Sequence, residues 1–282
     1  MKIYVIIPAH NEEALITQTL DSLVHQTQPP EKVVVVDDNS TDATAQKVRS
    51  YQRQYPWIDL VSTRGSTEHL PGSKVIQAFQ KGFETVDFSY DIIAKMDADL
   101  IFPTHYFETI RTHFQSDATI GMVGGFCYIK KNREWVLENL TNKDHIRGAL
   151  KAYRKECFEA IGGLKPSMGW DTVDELLAQY HGWKIKTDET LHVKHLKPTG
   201  NTYNPKARYK QGEAFYKLRY GFILTTIASI KLALRKSKPG LTKDYLLGYL
   251  RAKKTRIQPL VTPEEGKFIR KLRWQKIRQK FG

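Results

Sequence analysis

The chain has little cysteine. Cys127 and Cys157 are the only two in 282 residues, and they stand at no metal-binding spacing. That excludes a disulfide framework or a zinc ribbon and suits small buried thiols in a reducing cytosol. Long apolar runs are missing too. Ile3 to Ile7 is stopped at once by Pro8, too short for a signal-peptide core, so it reads as a first strand. The most apolar later stretch, Tyr220 to Ile230, lies between Arg219 and Lys231 and falls short of the roughly 20 residues that cross a bilayer, so no transmembrane helix is expected. No GxGxxG follows the first strand and no Walker A lysine loop occurs, which excludes a dinucleotide fingerprint and a P-loop. Any nucleotide must be held by carboxylates and a metal.

Acidic residues are scarce in one region only. Residues 201–282 hold 21 Lys and Arg against 4 Asp and Glu, or +17, whereas residues 1–200 hold 23 against 26, or −3. A nucleic-acid enzyme spreads basic residues around its active face, so this asymmetry implies a nearly neutral catalytic body with a basic attachment and no nucleic-acid partner. At this length the chain can bury one large core with an appendage.

Along the first hundred residues strand and helix signals alternate. Ile3–Ile7 is a continuous apolar run fit for a strand buried on both faces, Val33–Val36 reads as a second buried strand, and Ile58–Val61 and Ile92–Met96 as the third and fourth. Between them Leu15, Ile16, Leu20, Leu23 and Val24 recur at helical spacing, Ser40 or Thr41 is placed to cap a second helix through Val48 and Tyr51, and a polar loop through Pro71-Gly72 leads into a third with Val75, Ala78, Phe79 and Phe83 on one stripe. This βαβαβαβ order predicts a parallel sheet with helices on both faces and ligands beyond the C-terminal strand ends. The polar residues gather there, in Pro8-Ala9-His10-Asn11-Glu12, Asp37-Asp38-Asn39-Ser40-Thr41-Asp42 and Asp97-Ala98-Asp99. Alternation at the end of the fourth strand aims Asp97 and Asp99 the same way, and hard oxygen ligands suit Mg²⁺ or Mn²⁺. Taken alone, the triplet reads equally as a polar turn closing a strand.

These motifs, in this order and spacing, with the Gly72-Ser73-Lys74 helix start, resemble a family 2 glycosyltransferase of the inverting, bacterial surface-glycan type over roughly residues 1–200. The resemblance implies a GT-A fold, a Rossmann-like, mostly parallel sheet with helices on both faces, plus a basic C-terminal helical extension. The nucleotide-binding half would be residues 1–100, the acceptor half 101–200 and the tail 201–282. It implies a metal-assisted transfer from a nucleotide-sugar, a UDP-sugar by family tendency, to a glycan or lipid-linked acceptor in cell-surface polysaccharide synthesis. Residue by residue, Pro8, Ala9 and Glu12 would face the nucleotide and Asp38 would bond uracil or ribose. Lys74 would sit near base or diphosphate, Asp97 near ribose or a metal-bound water, and Asp99 would hold the metal. Gln80 departs from the asparagine frequent at its position.

Farther on, Gly169-Trp170-Asp171-Thr172-Val173-Asp174-Glu175 stands where the family usually has Glu-Asp. Trp170 occupies the glutamate position and could stack on an acceptor sugar, so Asp171 inherits the role of catalytic base, with Asp174 one turn along the same face. An N-cap is the other reading of Asp171. In LHVKHLKPTG, the resemblance makes His195 a further metal ligand or a phosphate contact, His192 a lesser candidate, and Lys197 and Arg208 flanks of the diphosphate.

Beyond residue 200, Phe215, Leu218, Phe222 and Ile223 begin one aromatic-rich helix and Tyr245, Leu246, Tyr249 and Leu250 another, while Phe268, Leu272 and Phe281 stand among Arg270, Lys271, Arg273, Lys276, Arg278 and Lys280. Such a basic amphipathic segment fits an anionic membrane surface, which places the chain in the cytoplasm, peripheral on the inner face of the cell membrane. Packing of the same aromatics on the catalytic body is the other reading. Two further functions stay open. A sugar-phosphate nucleotidyltransferase shares a similar sheet but calls for a glycine- and arginine-rich loop after the first strand, and a basic nucleic-acid- or membrane-binding protein would leave Asp97 and Asp99 idle.

Overall fold

A computed structural model describes residues 1–63, 72–139, 142–198 and 208–281. Strands β1 (Ile3–Ala9), β2 (Lys32–Asp38), β3 (Ile58–Thr63) and β4 (Ile92–Met96) pair in parallel in the order β3-β2-β1-β4. Helices α1 (Ile16–Val24), α2 (Thr44–Gln54) and α3 (Ser73–Phe83) make the crossovers. Ile3 to Ile7, Val33 to Val36 and Ile92 to Met96 are buried throughout because both sheet faces are covered, which explains the unbroken apolar runs of the first two; in the third, Lys95 is buried as well. Pro8 is tolerated in a central strand because pairing of β1 with β4 has already ended at Ile6 opposite Lys95.

The parallel pattern then breaks. After β5 (Leu100–Ile101) and α4 (Tyr106–Ser116) come β6 (Ile120–Lys131), β7 (Glu134–Leu137) and β8 (Leu150–Arg154). Strand β8 inserts antiparallel between β4 and β6, so the nine-stranded sheet is mixed, ordered β3-β2-β1-β4-β8-β6-β9-β5 with β7 hairpinned onto β6. Helices α5 (Lys155–Ala160) and α6 (Trp170–Tyr180) precede β9 (Lys184–His195), which runs parallel to β6 and ends at the same edge as β4. Leu100 of β5 pairs with His195, which sets the end of β9 beside Asp99.

Among the described residues four helices follow: α7 (Lys210–Lys217), α8 (Gly221–Arg235), α9 (Leu241–Lys254) and α10 (Pro263–Phe281). Helices α7 and α9 pack so closely that a Cβ on Gly212 would lie 1.8 Å from the Tyr245 carbonyl oxygen, and one on Gly248 2.1 Å from that of Tyr209. Only glycine permits this approach. Phe215, Leu218, Tyr220, Leu224, Tyr249, Val261 and Ile269 join the same hydrophobic core as the sheet. Ile269 is fully buried, Phe268 and Leu272 pack against that core, and Phe268 meets the Tyr180 ring edge-on at 5.5 Å. The apolar side of α10 thus faces the body. On α8, by contrast, Phe222, Ile223, Ile227, Ile230 and Leu234 are between 37% and 67% exposed. Among the described residues no helix is long and apolar enough to cross a membrane. The expected division at residues 100 and 101 falls within β5, whereas that at 200 and 201, Pro71 of the polar loop and the side chain of Phe281 lie outside what is described.

Candidate active site

The loops after β1 and β2 interlock at the C-terminal sheet edge. Asn11 and Asn39 both take positive φ, 54° and 57°, a left-handed turn that asparagine tolerates. The Asn11 N–H donates to Ser40 Oγ at 2.9 Å and the Thr41 N–H to Asn11 Oδ1 at 2.8 Å. Ser40 and Thr41 therefore staple the loops instead of capping α2, whose first N–H, on Thr44, donates to Asp42 Oδ1 at 3.0 Å. Asp38 is fixed by Thr63, whose hydroxyl donates to its Oδ1 at 3.1 Å, and its carbonyl meets His10 Nδ1 at 2.7 Å. Pro8 and Ala9 close β1 opposite Val36 and Asp37. Glu12 accepts from Lys197 at 2.6 Å, and its carboxyl is raised by burial against the pull of that lysine. Lys74 lies in the first turn of α3. Gly72 just before it, at φ 77°, would set a Cβ 3.0 Å from the Ser167 carbonyl, so this helix start abuts the loop leading to α6.

Asp97, Asp99 and His195 each offer a donor atom, and these atoms lie within 4.8 Å of one another. His195 Nδ1 meets Glu138 Oε2 at 2.7 Å, which leaves Nε2 aimed at Asp99 Oδ2, 3.4 Å away. A buried carboxylate holding the far nitrogen is how a metal-binding imidazole is usually oriented. The two carboxylates suit Mn²⁺ or Mg²⁺ and the imidazole is a common ligand of divalent transition-metal ions, so the residues present fit a divalent ion. Cys127, Glu138 and His195 also cluster, but burial pushes the Cys127 thiol up to about 12 and Glu138 is already taken by His195 and Arg147, which makes that set a poor one. Lys95, buried in β4, pairs with Asp97 and donates to the Gly148 carbonyl at 3.0 Å.

Lys95 and Lys151 face each other across β4 and β8, two buried lysines side by side. Each needs its own counter-charge. Lys151 Nζ donates to both Asp174 oxygens at 2.8 and 2.9 Å and to Glu175 Oε1 at 3.2 Å, and Tyr153 donates to Asp174 as well. Burial lowers the affinity of Lys151 for its proton, but Asp174 and Glu175 more than restore it. Burial lifts the Asp174 carboxyl above the ordinary aspartate range, against the pull of Lys151. Asp174 is 2% exposed, so it serves this lysine and does not open to a substrate.

Asp171 does open. Its side chain is 34% exposed, and Oδ2 lies 3.7 Å from His145 Nε2. Burial raises its pKa, but the nearby His145 imidazole and the charge of Lys151 lower it on balance, so it is ionised at neutral pH. The helix begins at Trp170 after Gly169 with no side-chain cap bond, so Asp171 is no N-cap. Trp170 is not available for stacking on a sugar: it is 7% exposed, with Lys95 Nζ 5.4 Å and Lys151 Nζ 5.7 Å from its ring centroid. A Cβ on Gly148 would lie 3.3 Å from Asp171 Cβ, so Asp97, Lys95, Gly148 and Asp171 form one continuous line of neighbours.

His192 is exposed, bonded to the Glu189 carbonyl at 2.9 Å and packed on Tyr128, away from this line. Lys197 is at the edge through Glu12, whereas Arg208 pairs with Asp244 at 2.7 Å among the C-terminal helices. Gln80 donates to the Leu164 carbonyl at 3.3 Å. Sequence reasoning missed Lys95, Glu138, His145 and Lys151. The two lysines carry a signal it could have used, since a lysine inside an apolar strand must have a buried partner.

The family model described as glycosyl transferase family 2 matches residues 4–164. The chain is 36% identical over 100 residues, 35% of its own length, to a protein of Bacillus subtilis named "Probable glycosyltransferase YdaM", of which it spans 23%, less than two thirds. By structure it is similar to a mannosyltransferase from Pyrobaculum calidifontis in complex with GDP-Man and Mn²⁺ (TM-score 0.59, 17% identity, 98% of this chain and 80% of that one). It is also similar to S. aureus TarS 1–349 in complex with UDP-GlcNAc (TM-score 0.59, 17% identity, 89% and 72%). At that identity the likeness shows the fold, which is GT-A. With the family model covering more than half of its residues, the chain belongs to glycosyl transferase family 2.

Proposed function

We propose that this chain transfers a sugar, with inversion, from a nucleotide-diphosphate donor to a hydroxyl of a glycan or lipid-linked acceptor in cell-surface polysaccharide synthesis. The observation that carries the reading is the convergence of Asp97, Asp99 and His195 at the edge of the parallel strands, one line of contacts from the exposed carboxylate of Asp171. Mg²⁺ or Mn²⁺ held by Asp99 and His195, with Asp97 beside them, would neutralise charge growing on the departing diphosphate. Glu138 keeps the imidazole turned toward that position, and Lys95 holds Asp97 in place. Pro8, Ala9, Glu12, Asp38 and Lys74 surround the nucleotide. Asp171 takes the proton of the acceptor hydroxyl as its oxygen bonds to the anomeric carbon and the bond from that carbon to the diphosphate oxygen breaks. Such a base contributes about 10²- to 10⁴-fold. The relatives' bound GDP-Man and UDP-GlcNAc support a nucleotide-sugar donor, with UDP-sugar as the choice tested first.

Attachment to the inner face of the cell membrane belongs in this reading to α8. Its exposed Ile223, Ile227, Ile230 and Leu234 recur on one side of the helix, with Lys236 and Lys238 at its C-terminal end, a complement to anionic lipid.

Calorimetric titration of UDP and GDP, with Mn²⁺ and with chelator, tests the donor site. Metal-dependent binding of one nucleotide by the wild type, lost in Asp99→Ala, is the expected result. Absence of binding in every condition, by protein that still melts cooperatively, would overturn the proposal.

A further inference from the structure

A second concavity opens beside the candidate base. A cleft of about 560 Å³ lies between α6, the start of β9, α8 and α10, within the size range of small-molecule sites. Thr172, Glu175 and Gln179 form one wall, so the cleft follows α6 for about two turns, beginning at His145 next to Asp171. The facing walls are cationic. Lys184 of β9, Lys231 and Arg235 of α8, and Arg273 and Lys276 of α10 line them, against Asp144 and Glu175 among the described residues. His145 adds to this charge, because the carboxylates of Asp171, 3.7 Å away, and of Glu175, hydrogen-bonded at 2.8 Å, outweigh burial and raise it to about 9.

Five cations from three separate segments repel one another, and Lys276, Lys184 and Lys231 already have partners of their own. Lys276 meets Asp144 at 2.7 Å and Lys184 meets Asp117 at 3.0 Å. Arg273 donates to the Tyr220 hydroxyl at 3.0 Å, and neither Arg273 nor Arg235 has a carboxylate within 4.0 Å among the described residues. A neutral glycan would leave Arg235 and Arg273 without a counter-ion, whereas a phosphate group accepts several charge-assisted hydrogen bonds from lysine and arginine. We propose that the cleft is the acceptor site and that the acceptor carries phosphate, which deepens and rests on the glycosyltransferase reading above. The phosphate seats among Lys184, Lys231, Arg235 and Arg273, and the acceptor's hydroxyl end reaches past His145 to Asp171. Lys231 and Arg235 stand about 100° around α8 from Ile230 and Leu234, so the same helix offers charge to the cleft and an apolar face outward. A lipid-linked phosphate and a water-soluble phosphate-bearing acceptor share the chemistry that the cleft reads.

The test uses the full chain in EDTA, so that the metal-dependent nucleotide site is not loaded. Farnesyl diphosphate, inorganic pyrophosphate and uncharged farnesol are titrated into the wild type, the double variant Lys231→Gln/Arg235→Gln and the single variant Lys184→Gln. The wild type is expected to bind both diphosphates and not farnesol, and the double variant to bind them about tenfold more weakly or worse. Lys184→Gln, on a different element, is expected to weaken them as well, while both variants keep the wild-type melting temperature. Tighter binding of farnesyl diphosphate supports the proposal with a lipid headgroup as the source, and equal binding supports it with a water-soluble source. No diphosphate binding by the wild type, or affinities unchanged in both variants, would overturn it. UDP titrated with Mn²⁺ into the same preparations separates the two readings: intact UDP binding beside such a result removes the acceptor site alone, and its loss in the wild type removes the glycosyltransferase reading.

Discussion

Asp174→Ala and Asp171→Asn should have opposite consequences, although the two residues lie one turn apart on α6. Asp174 is the main counter-charge of Lys151, whose side chain is fully buried, and it accepts from the Tyr153 hydroxyl. Truncation leaves Lys151 with Glu175 at 3.2 Å and the Asp171 carbonyl. Because those partners remain, the loss belongs at the lower end of the cost of breaking a buried ion pair, about 3 kcal/mol. The orphaned Tyr153 hydroxyl adds about 1 kcal/mol. Together these lower the melting temperature by about 8–16 °C for a chain of this size. Asp171 is one-third exposed with a single His145 contact at 3.7 Å, so Asp171→Asn costs less than about 1 kcal/mol. It nevertheless removes the proposed base and lowers turnover by about 10²- to 10⁴-fold. Differential scanning fluorimetry run beside a nucleotide-release assay reads both quantities. An Asp174→Ala protein that melts with the wild type, or an Asp171→Asn protein with full turnover, would refute the division of roles.

Three other outcomes are expected. Glu138→Gln, which weakens the hold on His195 Nδ1, should reduce Mn²⁺ affinity by about 10- to 100-fold in calorimetry, and equal affinity would remove its orienting role. His145 is raised from 6.5 to about 9 by Asp171 and Glu175 against burial, so its contribution to stability is complete below about pH 6.5 and fades as pH rises through 9. Chemical denaturation should therefore show the wild type losing its advantage over His145→Gln across that window, and parallel curves would contradict it. Gly212→Val forces apart α7 and α9 where no Cβ fits and should destabilise by about 1–3 kcal/mol in urea titrations, whereas wild-type stability would show that the helices separate freely.

The sequence alone determined the elements and one edge of the site. Ile3–Ile7 and Val33–Val36 are apolar without alternation, and only a strand covered on both faces requires that, so a parallel αβ sheet and the gathering of Asp38, Asp97 and Asp99 beyond its strand ends followed from local pattern. Periodicity shows that a face is apolar but not what covers it. For that reason Phe268 and Leu272 read equally well as a membrane face and as a packed one, and the structure turns α10 inward while leaving Ile223, Ile227 and Ile230 of α8 outward. Spacing on α6 put Asp171 and Asp174 together. Only the antiparallel insertion of β8, which brings Lys151 beneath one of them, decided that Asp174 is bound to a buried lysine while the Asp171 side chain stays one-third exposed. Glu138 and His145 were invisible for the same reason: each acts on a residue far along the chain, at His195 and Asp171, and that distance closes only when the sheet folds.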